Sequence, residues 1–319
     1  MENPAIWDYR DPYIWMEKIR NSEMPPTMIA VALTGGVQGK EYNPNLPETA
    51  EEQIEAAYEA YQAGAVSVHI HARNPDDPTV ASIDSAVYTK INEGIRKRCP
   101  GMIINNSTGA GPQYTPKDKL AGAYADVKPD MCSLNPGPFM MDLLLKERPA
   151  ELGFPREKTM MPICIPMVYD DVRSTAKSLK ELGIRPEIEV FNHGHFWVVN
   201  DLISKGLIDP PYVLQFIFGF QTAVYPTPWN VINMINEMPK DSIFFVPGVG
   251  VYQLPLNVMG LVMGGHVRVG LEDNVYFKRG ELAKNSAQQV ERIRRISEEM
   301  NRPIATCEQA RKMLGLKPV

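Results

Sequence analysis

Cysteine is sparse in this chain: Cys99, Cys132, Cys164 and Cys307 stand apart with no CxxC pair. Neither a disulfide framework nor a thiolate zinc site is indicated, and a reduced cytoplasmic setting is the expectation. The start, Met1-Glu2-Asn3-Pro4-Ala5-Ile6-Trp7, lacks the basic segment and apolar core of a signal peptide. Nowhere do about 18 apolar residues run together, so no membrane span is expected. Positive charge is not in excess either. A formal net charge of -5 argues against a general affinity for nucleic acid or anionic lipid, so any anionic ligand has to be held by local charges. Two catalytic signatures are also missing. The stretch Gly35-Gly36-Val37-Gln38-Gly39-Lys40-Glu41 is one residue short of a phosphate loop and has Glu41 where Ser or Thr is required. It reads as a turn. No GxSxG elbow occurs.

With 319 residues, 44% hydrophobic and 22% charged, the chain has room for one large α/β barrel or two smaller domains. Eight β-rich runs recur, most followed by an amphipathic stretch: 28–33, 66–73, 102–107, 131–135, 187–191, 212–218, 242–246 and 266–272. Alternation of this kind implies parallel strands joined by crossovers, and eight units suggest a (β/α)8 TIM barrel. Thr49 with Glu52 marks a helix start, and Gly64 its end; Asp171 to Leu182 forms another, closed by Gly183. Residues 137–169 are too long for a loop and contain the apolar run Met160 to Met167. They read as an insertion after strand four, with a ninth strand as the alternative. Residues 1–27 form an arm whose Trp7, Tyr9, Tyr13 and Trp15 suit covering the barrel floor or a neighbouring subunit; residues 28–319 form the catalytic barrel.

Polar residues at the C-terminal strand ends are the natural site candidates in such a barrel. His69, His71 and Arg73 share one face of strand two, while Val68, Ile70 and Ala72 take the other. In the last strand Arg268, Gly270 and Glu272 share a face and point inward. Only strand one separates strands eight and two, so Glu272 can meet His69 and His71 at one ion. Two imidazoles and a carboxylate with open positions are the ligand set of a catalytic zinc site. His193 and His195 repeat the spacing at strand five, with Glu189 on the same face, but strand five lies three steps from strand two; supporting or helix-capping contacts suit them better. His266 stands at the opposite mouth and reads as structural. Asn106, Ser107 and Thr108 end strand three, where their polar groups suit either substrate contact or a turn.

The chain resembles the β-keto acid cleavage enzymes, zinc-dependent barrel proteins that act with acetyl-CoA. The resemblance rests on Glu41 to Pro47, the run His69 to Arg73, Asn106-Ser107-Thr108-Gly109, Glu189-Val190-Phe191, and Val267 to Asn274. It implies that His69, His71 and Glu272 bind Zn2+, that Ser107 contacts the substrate, and that Arg268 and Asp273 serve proton transfer. Asp273 would abstract a proton between the ketone and the carboxylate. The enolate would attack acetyl-CoA, CoA would pass to the keto carbon, and a retro-Claisen step would release acetoacetate and a new acyl-CoA. Members acting on amino-substituted keto acids carry an acidic residue in the turn after strand one, where this chain has Gly36 and Val37. A neutral, apolar or anionic tail is therefore expected, since Val37 cannot pair with an ammonium group. Residues 219–228 lack the glycine-rich look of the family where CoA is expected. A homo-oligomer, as a tetramer, is implied.

Two other readings compete. A metal-dependent hydrolase of the amidohydrolase type also combines an HxH strand with a late Asp, but it needs single histidines on strands five and six, and Tyr212 to Phe220 contains none. A zinc-containing barrel that binds ligand without catalysis would not require Arg268 and Asp273 to flank Glu272.

Overall fold

The structure is a computed structural model, and it describes residues 3–109 and 113–318. The strands are β1 (Ile29–Ala32), β2 (Ser67–Ile70), β3 (Ile103–Asn106), β4 (Met131–Leu134), β5 (Phe139–Leu145), β6 (Thr159–Ile165), β7 (Arg185–Val190), β8 (Tyr212–Phe216), β9 (Ser242–Phe245), β10 (Val267–Val269), β11 (Tyr276–Lys278) and β12 (Glu281–Leu282). The helices are α1 (Pro12–Arg20), α2 (Ala50–Ala63), α3 (Ser85–Arg98), α4 (Tyr169–Leu182), α5 (His195–Ser204), α6 (Pro228–Glu237), α7 (Gln253–Val262), α8 (Ser286–Glu299) and α9 (Cys307–Met313). Eight strands form one parallel sheet in the order β10-β1-β2-β3-β4-β7-β8-β9. A bridge between Phe245 and His266 joins the end of β9 to the residue before β10 and closes the ring. The molecule is a TIM barrel, and its eight strands are the eight runs expected from the sequence.

Local chemistry sets the helix ends. Thr49 accepts from the Glu52 N–H at 3.2 Å, and the Glu52 carboxylate accepts from the Thr49 N–H at 3.0 Å, so two donors at the start of α2 are satisfied reciprocally. Gly64 stops this helix at φ 113, a conformation that costs a residue with a Cβ dearly. Helix α4 starts at Tyr169, two residues before the expected Asp171, and ends at Gly183 as expected.

The insertion after the fourth barrel strand is an antiparallel hairpin, β5 with β6, running from Phe139↔Ile165 to Leu145↔Thr159. The apolar run at 160–167 thus pairs within the insertion and adds no ninth strand to the barrel. Side chains satisfy the outer edge of β5. Thr222 and Gln221, in the loop after β8, bond the backbone of Met140 and Asp142. Tyr42, in the loop after β1, donates to the Leu144 carbonyl at 2.7 Å and accepts from the Lys146 N–H at 3.1 Å. The hairpin is thereby tied to loops following two different barrel strands.

The interior changes character along the strands. At the floor, Met28, Ala30, Ile103, Met131, Val213, Ile243 and Phe245 form one apolar cluster with Ala5, Ala305 and the α9 residues Ala310 and Met313. Each large side chain buried there contributes about 1.5–3 kcal/mol. Outside the sheet, Val68, Ile70 and Ala72 pack with residues of α2, α3 and α8, as the two-residue period of a strand requires. The aromatic arm covers the barrel rather than reaching into solvent as a whole. Tyr9 is buried with its ring 4.9 Å from Phe244, Trp7 lies against Tyr9 at a tilt of 40°, and Trp15 Nε1 donates to the Val262 carbonyl at 3.1 Å, although Tyr13 is exposed. Among the described residues, no helix is long and apolar enough to cross a membrane.

Candidate metal and catalytic centre

Two residues beyond the apolar floor, the same strands carry polar side chains inward. Registers align Ala32 with His69, His69 with Asn105, Ser133 with Glu187, and Glu189 with Gln215. Strand alternation places His69 and His71 inside, and β10 sends Arg268 to the same space.

His69 Nε2 and His71 Nε2 stand 3.2 Å apart, and Glu272 Oε1 lies 3.8 Å from the first and 3.5 Å from the second. Ligand atoms on a tetrahedral ion at about 2.0–2.1 Å are separated by about 3.3 Å, so these three atoms fit one ion. Burial drives His69 well below its ordinary pKa, which keeps the imidazole neutral as a ligand must be. Burial alone would raise Glu272, but the fields of His71 and Arg268 outweigh it and hold the carboxyl well below the usual range. The Gly35 N–H donates to Glu272 Oε2 at 3.1 Å, and Arg268 Nη2 donates to Oε1 at 2.7 Å. Both carboxylate oxygens are therefore oriented.

Asp273 is paired with Arg268 through two bonds, from Nε at 3.0 Å and from Nη2 at 2.9 Å. Burial, aided by repulsion from Glu272 and opposed by Arg268, raises Asp273 to about 6. Its proton affinity is thus greater than that of an ordinary aspartate, while each oxygen keeps a lone pair beyond those Arg268 uses. Ser107 lies near His71, on the other side of Gly109. Its Oγ accepts from the Gly109 N–H at 3.0 Å, and a Cβ built on Gly109 would lie 3.3 Å from both Ser107 Oγ and His71 Cε1. Val37 is half-buried in the turn between Gly36, whose added Cβ would lie 3.5 Å from His71 Nδ1, and Gln38, which bonds the Glu272 backbone.

Asn106 and Thr108, suited by sequence either to substrate contact or to a turn, bond neighbouring backbone here. Asn106 Nδ2 donates to the Gly122 carbonyl at 2.9 Å in the 3-10 turn Asp118–Tyr124, and the Thr108 hydroxyl donates to the Ser133 carbonyl at 3.0 Å. The inward position on β3 belongs to Asn105, whose Nδ2 donates to Glu187. Arg73 lies off the ion-binding atoms, donating to the carbonyls of Pro78, Thr34 and Gln38.

Glu187 and Glu189 reach farther than their strand position suggests. They form a second set with His69 whose ligand atoms lie within 4.8 Å of one another, and Glu189 Oε1 accepts from Arg268 Nη1 at 3.3 Å. An eight-stranded barrel is narrow enough for long side chains to meet across it. Burial, with repulsion from Glu187 and Glu272 against the pull of Arg268, raises Glu189 to about 7. Three acids, Glu189, Glu272 and Asp273, thus bond one guanidinium, and a fourth, Glu187, stands close by on Asn105. A divalent cation bound there would offset the negative charge of these carboxylates. His195 instead caps the chain near α5, where Nδ1 accepts from the Phe191 N–H at 3.2 Å, and His193 pairs with Glu237 at 2.7 Å. The inward residues of β7 and β8 are Glu187, Glu189 and Gln215, not the histidines that the hydrolase scheme needs. His266 is buried on the floor side, accepting from the Met28 N–H at 3.1 Å.

Comparison with known proteins places this geometry in context. A family model described as beta-keto acid cleavage enzyme matches residues 26–316. The chain is 35% identical over 294 residues to a 3-keto-5-aminohexanoate cleavage enzyme of Fusobacterium nucleatum, covering 92% of this chain and 99% of the relative. It is 32% identical over 295 residues to a 3-oxoadipate:acetyl-CoA acetyltransferase of Cupriavidus necator, covering 91% of this chain and 95% of that one. Its fold is similar to that of the solved binary complex of ObcA with oxaloacetate, at a TM-score of 0.69 and 20% identity over 86% of this chain and 68% of that one.

Proposed function

The chain belongs to the β-keto acid cleavage enzyme family, and from that premise we propose that it converts a β-keto acid and acetyl-CoA into acetoacetate and a new acyl-CoA at a zinc ion held by His69, His71 and Glu272. The observation that carries this reading is the convergence of those three ligand atoms at 3.2–3.8 Å beside the Arg268–Asp273 pair. Zinc bound there would polarise the substrate's ketone and carboxylate oxygens and so acidify the carbon between them. The residues of the chain supply the rest.

Asp273 takes the proton from that carbon. Its raised proton affinity suits a base working near neutral pH, and Arg268 fixes the carboxylate and offsets the charge of Glu272 beside it. The resulting carbanion attacks the thioester carbonyl of acetyl-CoA and expels the CoA thiolate. The thiolate adds to the keto carbon of the substrate, cleavage of the adjoining carbon–carbon bond releases the acyl-CoA and leaves the acetoacetate carbanion, and Asp273 returns its proton to that carbon to give acetoacetate. Ser107, next to His71, donates its hydroxyl to a substrate oxygen; Asn106 and Thr108 contribute through the shape of the strand-three turn they bond.

The relatives' names span an amino-substituted, a dicarboxylic and other keto acids, so membership alone does not choose the tail. Val37 at the turn beside His71 has no charge for an ammonium group, which favours a neutral, apolar or anionic tail. We further propose a homotetramer, supported by the exposed Met140, Leu144 and Met160 on the hairpin; light scattering on the purified protein reads its mass. The function is tested by a panel of β-keto acids incubated with acetyl-CoA, scoring acetoacetate with metal-loaded and chelated protein. Product from a neutral or anionic acid, lost on chelation and restored by zinc, is expected. Absence of product from every acid overturns the reading, and preference for a cationic amino-keto acid overturns the role of Val37.

A further inference from the structure

We propose that Arg148, at the root of the hairpin insertion, is a positioning residue for the carboxylate of Glu272, acting through the turn that follows β1. The inference rests on the reading of Glu272 as a metal ligand. Arg148 lies past the end of β5, where its backbone exchanges two hydrogen bonds with Arg156 at 2.7 and 3.0 Å. Its side chain is 1% exposed, and all five guanidinium N–H groups are used. Nε donates to the Gly153 carbonyl at 2.8 Å, Nη1 to Glu41 and Glu48 at 2.7 Å each, and Nη2 to Glu48 at 3.0 Å and the Leu152 carbonyl at 2.9 Å. Glu41 and Glu48 both belong to the segment between β1 and α2. One residue of the insertion thus grips that segment at two points.

The grip continues to the metal site without a break. Gly39 passes directly against the Arg148–Glu41–Glu48 ion pairs, since a Cβ there would stand 2.6 Å from Glu41 Oε2 and 2.7 Å from Arg148 Nη1. Only glycine lets the chain pass so close. Its neighbour Gln38 is held from behind by Arg73, whose Nη2 donates to the Gln38 carbonyl at 2.6 Å. Gln38 Nε2 in turn donates to the Leu271 carbonyl at 3.1 Å and to the Glu272 carbonyl at 2.5 Å. Gly35, at the other end of the same turn, donates to Glu272 Oε2. The route from Arg148 to Glu272 therefore consists of fixed hydrogen bonds and one glycine contact.

Stability alone is a weak reason for this construction. Desolvation offsets most of the attraction in buried ion pairs, whereas a fully bonded guanidinium fork imposes one geometry on the groups it joins. A metal ligand needs such control, because its donor atom has to sit within about 0.2 Å of the right distance.

The test uses metal-free full-length protein titrated with Zn2+, together with kcat and KM of the loaded enzyme. R148K keeps the charge but cannot span two carboxylates and two carbonyls; Q38A removes the last link. Each is expected to weaken the Zn2+ Kd about 10- to 100-fold and to lower kcat more than it raises KM for acetyl-CoA. The double variant is expected to bind no worse than the weaker single one, because both cut the same route. Wild-type Zn2+ affinity in R148K, or effects that multiply in the double variant, overturns the proposal. Where R148K does not fold, G39A displaces the same turn without removing a charge, and wild-type affinity there also overturns it. E272A separates the two levels. Undiminished Zn2+ binding in E272A removes the metal-site reading and this inference with it, whereas loss of binding in E272A with none in R148K and G39A removes the inference alone.

Discussion

Ile103, Met131, Val213 and His266 face the floor of the barrel, and two residues further along the same strands Asn105, Ser133, Gln215 and Arg268 face its mouth. The backbone is shared and the contents are opposite. At the floor, apolar side chains from the strands, α9 and Ala5 fill most of the interior, so their burial there is favourable. At the mouth, four acids, two histidines and one arginine are buried together, and each gives up solvation to be there. Histidine shows the contrast most directly. His266 and His69 are both buried and both pushed well below their ordinary pKa by that burial. His266 accepts a backbone N–H and faces Phe245, while His69 faces a second imidazole and a carboxylate. The floor stores the free energy that the mouth consumes in holding charges where chemistry needs them.

This division breaks most visibly at Asp273. Asp273→Asn is expected to lower turnover about 10²–10⁴-fold while the protein still binds one Zn2+, as read by acetoacetate assays and metal analysis. A variant with near-normal turnover would return the mouth to a structural role. The mirror experiment is Phe245→Ala at the floor, which should cost about 3–5 kcal/mol in urea unfolding and leave kcat of the folded protein unchanged. A large loss of kcat would mean that the two layers are not separable.

A smaller effect is expected at Asp130, which joins β4 to α3 and α9. It accepts from Arg96 and Arg311 at 2.7 Å each and from the Ile104 N–H at 2.9 Å. Burial would raise its pKa, but these partners outweigh it and the net shift is downward. A depressed folded pKa stabilises the protein above the unfolded value of about 3.9, and that contribution disappears as pH falls through the folded value. Asp130→Asn should therefore cost about 1.5–3 kcal/mol at neutral pH, and the gap from wild type should narrow below about pH 4 in thermal melts. A gap independent of pH would show that packing, not charge, holds this corner. The mildest variant is Tyr9→Phe, which loses the hydroxyl donated to the Ala5 carbonyl at 2.6 Å. Its cost of about 1 kcal/mol measures how firmly the arm closes the floor, and a null result would leave that task to Trp7 and Ala5.

Much of this was legible in order along the chain. The eight strand runs, the Thr49–Glu52 cap and the glycine stops at 64 and 183 are local signals, set by side-chain alternation and by conformations that only glycine adopts cheaply. The grouping of His69, His71 and Glu272 followed from strand faces and ring order. Other parts were not readable that way. Asn105 and Asn106 look alike in sequence, and only the phase of β3 sends the first to Glu187 and the second to Gly122. Glu189 meets Arg268 because the barrel is narrow, which a count of strand steps does not convey. The run Met160 to Met167 carries a strand pattern but no signal of its partner.

Sequence by itself determined the repeating unit, the inward face of each strand and the residue types able to hold a metal, because periodicity and side-chain chemistry are properties of neighbouring residues. Tertiary structure decided how close groups a hundred or more residues apart come to one another. The reach of Glu187 across the barrel and the hold of Arg148 on Glu41 and Glu48 depend on where closure of the ring and docking of the insertion bring the backbone. Such distances are set by packing of the whole molecule, and no local pattern encodes them.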